Sequence, residues 1–182
     1  MDHSLKKRHI LDMPTASIIF VVLIFLCIAL YLVNPNFLSA YNLSTLSRSV
    51  SFTTIVAFGQ TLVLLTGGID LSVAGVAGMS GILAAMLMVH GNVAPALAIP
   101  MIIALAFVCG GINGLLITKM KMVPFVVTLA TGSIFTGIIY VVTKGSPIMG
   151  IPESAMILGQ GMLFGVIPYP AIAMAILALI LM

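Results

Sequence analysis

Long apolar runs separated by short polar breaks are the feature that most constrains this chain. At about 1.5 Å per residue, a helix of about 20 residues crosses a hydrocarbon core of about 30 Å. Runs of suitable length are residues 15–33, 50–66, 71–89, 93–118 and 124–142, with a shorter one at 170–182. We therefore predict an all-α, polytopic membrane helix bundle with about five full transmembrane helices and a partial sixth.

The composition agrees with a membrane protein. Hydrophobic residues make up 62% of the 182, charged residues make up 6%, and the mean hydropathy is +1.31. Soluble domains are about 25% charged. The seven Lys and Arg residues flank apolar runs, where they set topology, so we predict a lipid bilayer and no nucleic acid as partner. Cys27 and Cys109 lie inside apolar runs, which argues against a disulfide framework or a cysteine metal site.

The distribution of positive charge predicts the orientation. A short polar tail, residues 1–14, precedes a transmembrane domain over 15–182. If the tail is cytoplasmic, alternate loops place most basic side chains inside and two outside, as the positive-inside rule requires. The inside residues are Lys6, Lys7, Arg8, Lys119 and Lys121, and the outside residues are Arg48 and Lys144.

A paired glycine and a lone carboxylate interrupt the membrane pattern. Asp70 is the only acidic residue between Asp12 and Glu153, and it follows Gly67-Gly68 directly after a run with polar positions. We predict a helix break at Gly67-Gly68, with Asp70 or Ser72 capping the helix that follows. A carboxylate at membrane depth is costly, so a role in the substrate path remains open beside the capping role.

Polar side chains within the spans are the other candidates for a substrate path. An amide or hydroxyl there must bond to a neighbouring helix or to a polar solute, and both readings stay open. The candidate path residues are Gln60, Asp70, Ser72, Asn113, Thr128 and Thr131. Small residues at intervals of four favour close helix packing, which we predict for Gly78, Gly81, Gly110 and Gly114.

The sequence contains no motif typical of nucleotide binding or of a metal site. It lacks a GxxxxGK[ST] phosphate-binding loop and the His-Glu or Cys-Cys spacings of metal sites. We predict no catalytic residues, no cofactor and no metal, so energy for transport must come from another subunit. The region 144–169 is rich in Gly and Pro and is predicted to be a loop with a short re-entrant or amphipathic piece around 155–164.

Several segments together resemble one family. The run Leu65-Thr66-Gly67-Gly68-Ile69-Asp70-Leu71-Ser72 is similar to the signature of permease subunits of bacterial ABC importers for ribose, xylose, arabinose and galactosides. Further similar segments follow in order along the chain, and the similarity runs from about Asn34 to the last residue. These segments are Gly111-Ile112-Asn113-Gly114, the run 123–131, Lys144-Gly145 and Gly150-Ile151-Pro152.

The resemblance implies a permease of the bacterial inner membrane that performs no chemistry itself. It implies a second permease subunit, a periplasmic or lipoprotein solute-binding protein, and cytoplasmic ABC ATPase subunits that drive alternating access. Family members are longer and carry a loop that docks on the ATPase, so we expect this chain to be truncated to the N-terminal half of the transmembrane domain. The alternatives are a secondary transporter or channel that uses Asp70 as an ion or proton site, and a non-functional fragment. A membrane enzyme is disfavoured, because no second ionisable side chain lies near Asp70 in sequence.

Overall fold

The described chain is built from helices, as predicted. A computed structural model describes residues 15–181, with side chains from residue 17; the predicted cytoplasmic tail, residues 1–14, lies outside this range. The helices are α1 (Thr15–Val33), α2 (Ala40–Leu65), α3 (Val73–Val89), α4 (Pro95–Thr118), α5 (Pro124–Thr143), α6 (Glu153–Gln160) and α7 (Tyr169–Leu181). A 3₁₀ turn spans Pro35–Leu38. Helices α2, α4 and α5 are long and apolar enough to cross a membrane, whereas residues 17–33 of α1, α3 and α7 are shorter apolar helices.

Two regions differ from the prediction. Helix α2 begins at Ala40 rather than at Val50. Polar side chains in its first turns are accommodated, because their hydroxyls donate to carbonyls of the same helix, as Thr45 Oγ1 does to Tyr41 O at 2.9 Å. The region 144–169 contains α6 and also a short hairpin, in which β1 (Met162–Leu163) pairs antiparallel with β2 (Ile167–Pro168).

The described residues divide into two compact units whose boundary lies between Leu46 and Ser47. In the first unit, α1 ends where Asn34 starts the 3₁₀ turn, and the Asn34 side chain accepts a hydrogen bond from the Asn36 N–H at 3.0 Å. The amide of Asn42 then donates to the carbonyl of Phe37 at 2.6 Å. Side-chain bonds of this kind replace the helical bonds that Pro35 interrupts.

The second unit is held together by α3, which packs against both α4 and α5. Its buried centre is formed by Met79, Cys109 and Phe135, one side chain from each helix. Many other large apolar side chains on these helices are exposed, including Phe107 at 78%. An apolar outer surface of this kind suits a helix bundle surrounded by lipid or by other transmembrane helices.

The predicted helix break is confirmed and has a defined geometry. Helix α2 ends at Leu65, and Gly67 adopts a left-handed conformation with φ of +78°. The Gly68 N–H then donates to Val63 O at 3.2 Å, and the Gly67 N–H donates to Leu64 O at 2.9 Å. These two bonds form a Schellman motif, which satisfies carbonyls at the helix end.

The two glycines of the break therefore have different roles, which a pair of alanine variants can separate. Gly67→Ala should lower the unfolding midpoint, because a left-handed residue with a Cβ costs about 1–2 kcal/mol, although an added Cβ would meet no atom within 4 Å. At Gly68 the added Cβ would lie 3.5 Å from Val63 Cγ1, an ordinary contact, so Gly68→Ala should unfold close to the parent. Thermal unfolding in detergent measures both, and equal losses would contradict this assignment.

Candidate functional site

A cavity lies where the ends of three helices and one connecting segment converge in the second unit. The C-terminal end of α2, the segment 66–72, the last turns of α4 and the first turns of α5 surround a volume of about 330 Å³. Polar groups in its wall come from Thr66, Asp70, Asn113, Thr118 and Thr128. The cavity therefore lies at the end of the bundle marked by Lys119 and Lys121, beside the break in the chain.

Asp70 uses its carboxylate to hold the start of α3. Its Oδ1 atom accepts hydrogen bonds from the Ser72 N–H at 2.8 Å and from the Ser72 hydroxyl at 2.6 Å. Ser72 is the residue that precedes α3, but its side chain makes no capping bond to the helix. The prediction that Asp70 or Ser72 caps α3 is thus corrected for Ser72, because its hydroxyl donates to Asp70 instead. Asp70 in turn accepts from the Ser72 N–H, the backbone donor just before the helix.

Asn113 connects α4 to the Ser72 hydroxyl, which is bonded to Asp70. Its Nδ2 atom donates to Ser72 Oγ at 2.9 Å, across 41 residues of sequence. Ser72 is 2% exposed and Asn113 is 5% exposed, so this bond lies inside the protein. The Oδ1 atom of Asn113 is also buried and has no partner among the described residues.

Two further side chains fix the backbone of the connecting segment. Gln60, near the end of α2, donates through Nε2 to the carbonyl of Asp70 at 2.8 Å. Thr128, in the second turn of α5, lies 3.2 Å from the carbonyl of Ile69 and 2.9 Å from that of Pro124. Because a buried carbonyl without a partner is costly, these bonds allow an irregular segment to lie within the bundle.

The structure thus brings five of the six candidate path residues together. We call Gln60, Asp70, Ser72, Asn113 and Thr128 the polar junction. Thr131 is separate, since its hydroxyl donates to Val127 O at 2.9 Å within α5 and it does not line the cavity. The described residues contain no group of three His, Cys, Asp or Glu side chains that is able to hold a metal ion.

Of the four glycines for which the sequence predicts close helix packing, one lies against another helix in the described chain. An added Cβ at Gly78 would lie 3.1 Å from the end of the Ile139 side chain, which fits a packing role. At Gly81, Gly110 and Gly114 it would meet no atom of the described chain within 4 Å. Gly110 and Gly114 instead line the cavity, and packing by these three glycines stays a prediction.

The tightest helix contact involves two glycines that the sequence reasoning missed. A Cβ on Gly75 of α3 would lie 2.6 Å from the carbonyl oxygen of Gly132 on α5. A Cβ on Gly132 would lie 3.1 Å from Ser72 Cα, directly beside the polar junction. The spacing of Thr128, Gly132 and Thr136 by four was a signal that would have found this face of α5.

These features define a class of protein: a multi-pass membrane protein whose apolar helices enclose a hydrogen-bonded polar junction. Residues 42–182 match the family model described as branched-chain amino acid transport system / permease component. The chain belongs to this family of permease components. The resemblance to sugar permeases of ABC importers is confirmed by the named relatives below.

The relatives are import permeases of bacteria. The chain is 44% identical over 164 residues to the ribose import permease protein RbsC of Bacillus subtilis, covering 89% of this chain and 50% of the relative. It is 31% identical over 184 residues to the fructose import permease protein FrcC of Rhizobium meliloti, covering 97% and 51%. It is 34% identical over 146 residues to the autoinducer 2 import system permease protein LsrC of Escherichia coli O9:H4, covering 78% and 42%. The chain spans about half the length of the curated relatives it matches, and no solved structure matches it.

Proposed function

We propose that this chain is the permease component of an ATP-driven ABC importer for a sugar or a related small polar solute. The observation that carries the proposal is the cavity beside the polar junction, in a chain of a permease family whose relatives import ribose and fructose. The protein would lie in the bacterial inner membrane with its N-terminus in the cytoplasm, the orientation favoured by its charge distribution.

The chemistry of the cavity favours a neutral solute. Four of the five polar residues in its wall carry a neutral amide or hydroxyl group that matches the hydroxyls of a sugar, and these are Thr66, Asn113, Thr118 and Thr128. The one carboxylate, that of Asp70, already accepts two hydrogen bonds from Ser72 through Oδ1. This use of Asp70 supports a structural role and disfavours the alternative in which it is the ion or proton site of a secondary transporter or channel.

The proposed mechanism requires partners. A solute-binding protein would deliver the sugar from outside, and a second permease subunit would form the other half of the pathway. Two cytoplasmic ATPase subunits would supply the energy, so that ATP hydrolysis is not performed by the permease. Each partner acts by binding the outward-facing and inward-facing states with different affinity, since only differential binding shifts such an equilibrium.

Uptake under selective energy depletion tests this function. Cells that contain the permease with its native ATPase and solute-binding subunits are given radiolabelled D-ribose. Uptake should fall to the level of cells lacking the permease gene when ATP is depleted with the proton gradient maintained, and it should persist when a protonophore acts with ATP present. The opposite pattern would support a secondary transporter, and uptake no higher than in gene-lacking cells under either condition would reject transport of ribose.

A further inference from the structure

Gly114 lies within the face of α4 that borders the cavity. The residues of α4 that line the cavity are Gly110, Asn113, Gly114, Ile117 and Thr118. Because an α-helix has about 3.6 residues per turn, the position of Gly114 points between Asn113 on one side of this face and Thr118 on the other. A side chain at this position would therefore project into the cavity.

Neither backbone strain nor close packing within the described chain explains a glycine at this position. Gly114 lies inside α4 without a positive φ, and an added Cβ would meet no atom of the surrounding chain within 4 Å. The contrast is with Gly75, where an added Cβ would lie 2.6 Å from Gly132 O. Glycine inside a helix is less favourable than alanine, because it loses more backbone freedom on folding. What Gly114 contributes is open space in the cavity.

We propose that Gly114 sets the size of the solute that this cavity accepts, and that the solute is a neutral, polyhydroxylated molecule of about pentose size. The inference rests on the proposed function and names the residue that limits the substrate. The cavity of about 330 Å³ lies near the lower end of the range for small-molecule pockets, about 300–1,000 Å³. Even a valine side chain in its wall would therefore take a substantial part of the room.

Thermal unfolding of Gly114 variants without ligand tests the first part of the argument. In a Cys27→Ala background, Cys109, which is 4% exposed, becomes reactive towards a fluorogenic thiol dye only on unfolding. Gly114→Ala should unfold about 1–4 °C above the parent, because alanine favours the helix and its Cβ has room. A glycine that packs against another helix would give the opposite sign, as is expected for Gly75.

The same assay with D-ribose as the probe tests the room for a solute. Ribose at ten times its dissociation constant should raise the midpoint of the parent by about 3–6 °C. Glycine betaine, an osmolyte without hydroxyl groups, measures the non-specific effect at equal concentration. The ribose shift should shrink in Gly114→Ala and fall to that of betaine in Gly114→Val. Gly114→Thr has nearly the shape of the valine variant and a hydroxyl group, so it should lose the shift as well.

Gly111 provides the matched control in the same helix. It does not line the cavity, and an added Cβ there would also meet no atom of the surrounding chain within 4 Å. Gly111→Ala should gain the same helix stability as Gly114→Ala. Gly111→Val should keep the full ribose shift, because its side chain lies outside the cavity.

Four results would overturn the proposal. Gly114→Ala unfolding below the parent would show that Gly114 packs closely, and a full ribose shift in Gly114→Val would show that ribose does not use this space. A shift kept by Gly114→Thr alone would mean that polarity and not room decides. A parent shift no larger than that of betaine would mean that the cavity holds no ribose. Failure of ATP-driven uptake together with a Gly114-dependent ribose shift would reject the importer and keep this proposal, so the two fail separately.

Discussion

Replacing Gly75 with leucine is expected to prevent stable packing of α3 against α5. The first added atom, Cβ, would lie 2.6 Å from the carbonyl oxygen of Gly132, and backbone atoms on both sides leave nothing flexible to move away. Overpacking costs about 1–3 kcal/mol even for small additions and more where the backbone must shift. We expect a loss above about 3 kcal/mol for leucine and a loss within the range of about 1–3 kcal/mol for alanine.

The measurement is membrane abundance together with the unfolding midpoint of the purified protein. Gly81→Leu and Gly81→Ala are the matched controls, since Gly81 lies in the same helix and an added Cβ there meets no described atom within 4 Å. Gly75→Leu should be depleted from the membrane and Gly75→Ala should melt early, while the Gly81 pair should resemble the parent. Equal behaviour of the two positions would contradict the close approach of α3 and α5.

Replacing Asp70 with leucine is expected to produce the second large effect. The variant leaves the Ser72 N–H and the Ser72 hydroxyl without their acceptor, and Ser72 is 2% exposed. Each buried donor left unpaired costs about 1–3 kcal/mol. Freed from Asp70, the Ser72 hydroxyl would also no longer fix the amide of Asn113, so the polar junction should lose its order as well as its stability.

Asp70→Asn is the control that separates hydrogen bonding from charge. Its amide oxygen is able to accept both Ser72 donors, so its unfolding midpoint should stay near that of the parent while that of Asp70→Leu falls. Uptake of labelled ribose by the complete importer should follow the same order. An asparagine variant with normal membrane level and normal stability but without uptake would show that the charge itself is needed, against the structural role of Asp70.

The boundaries that the sequence predicted well are those with strong local signals. Helix α1 begins and ends at Thr15 and Val33 as predicted, and Pro95 and Pro124 stand at the first positions of α4 and α5, where proline is tolerated. The start of α2 was predicted too late, because polar residues such as Ser44 and Thr45 lower the local hydropathy. In the helix both hydroxyls donate to Tyr41 O, which makes them compatible with an apolar surrounding.

The sequence by itself determined the membrane helix bundle, the break at Gly67-Gly68 and the family, because apolar length, glycine conformation and motif order are properties of neighbouring residues. Only the tertiary structure decided that Asn113 meets Ser72 across 41 residues, that Thr128 reaches Ile69 across 59, and that Gly75 meets Gly132. These contacts depend on how each helix is rotated about its axis and how closely it approaches the next, quantities set by the packing of whole faces. Periodicity within one helix does not specify them.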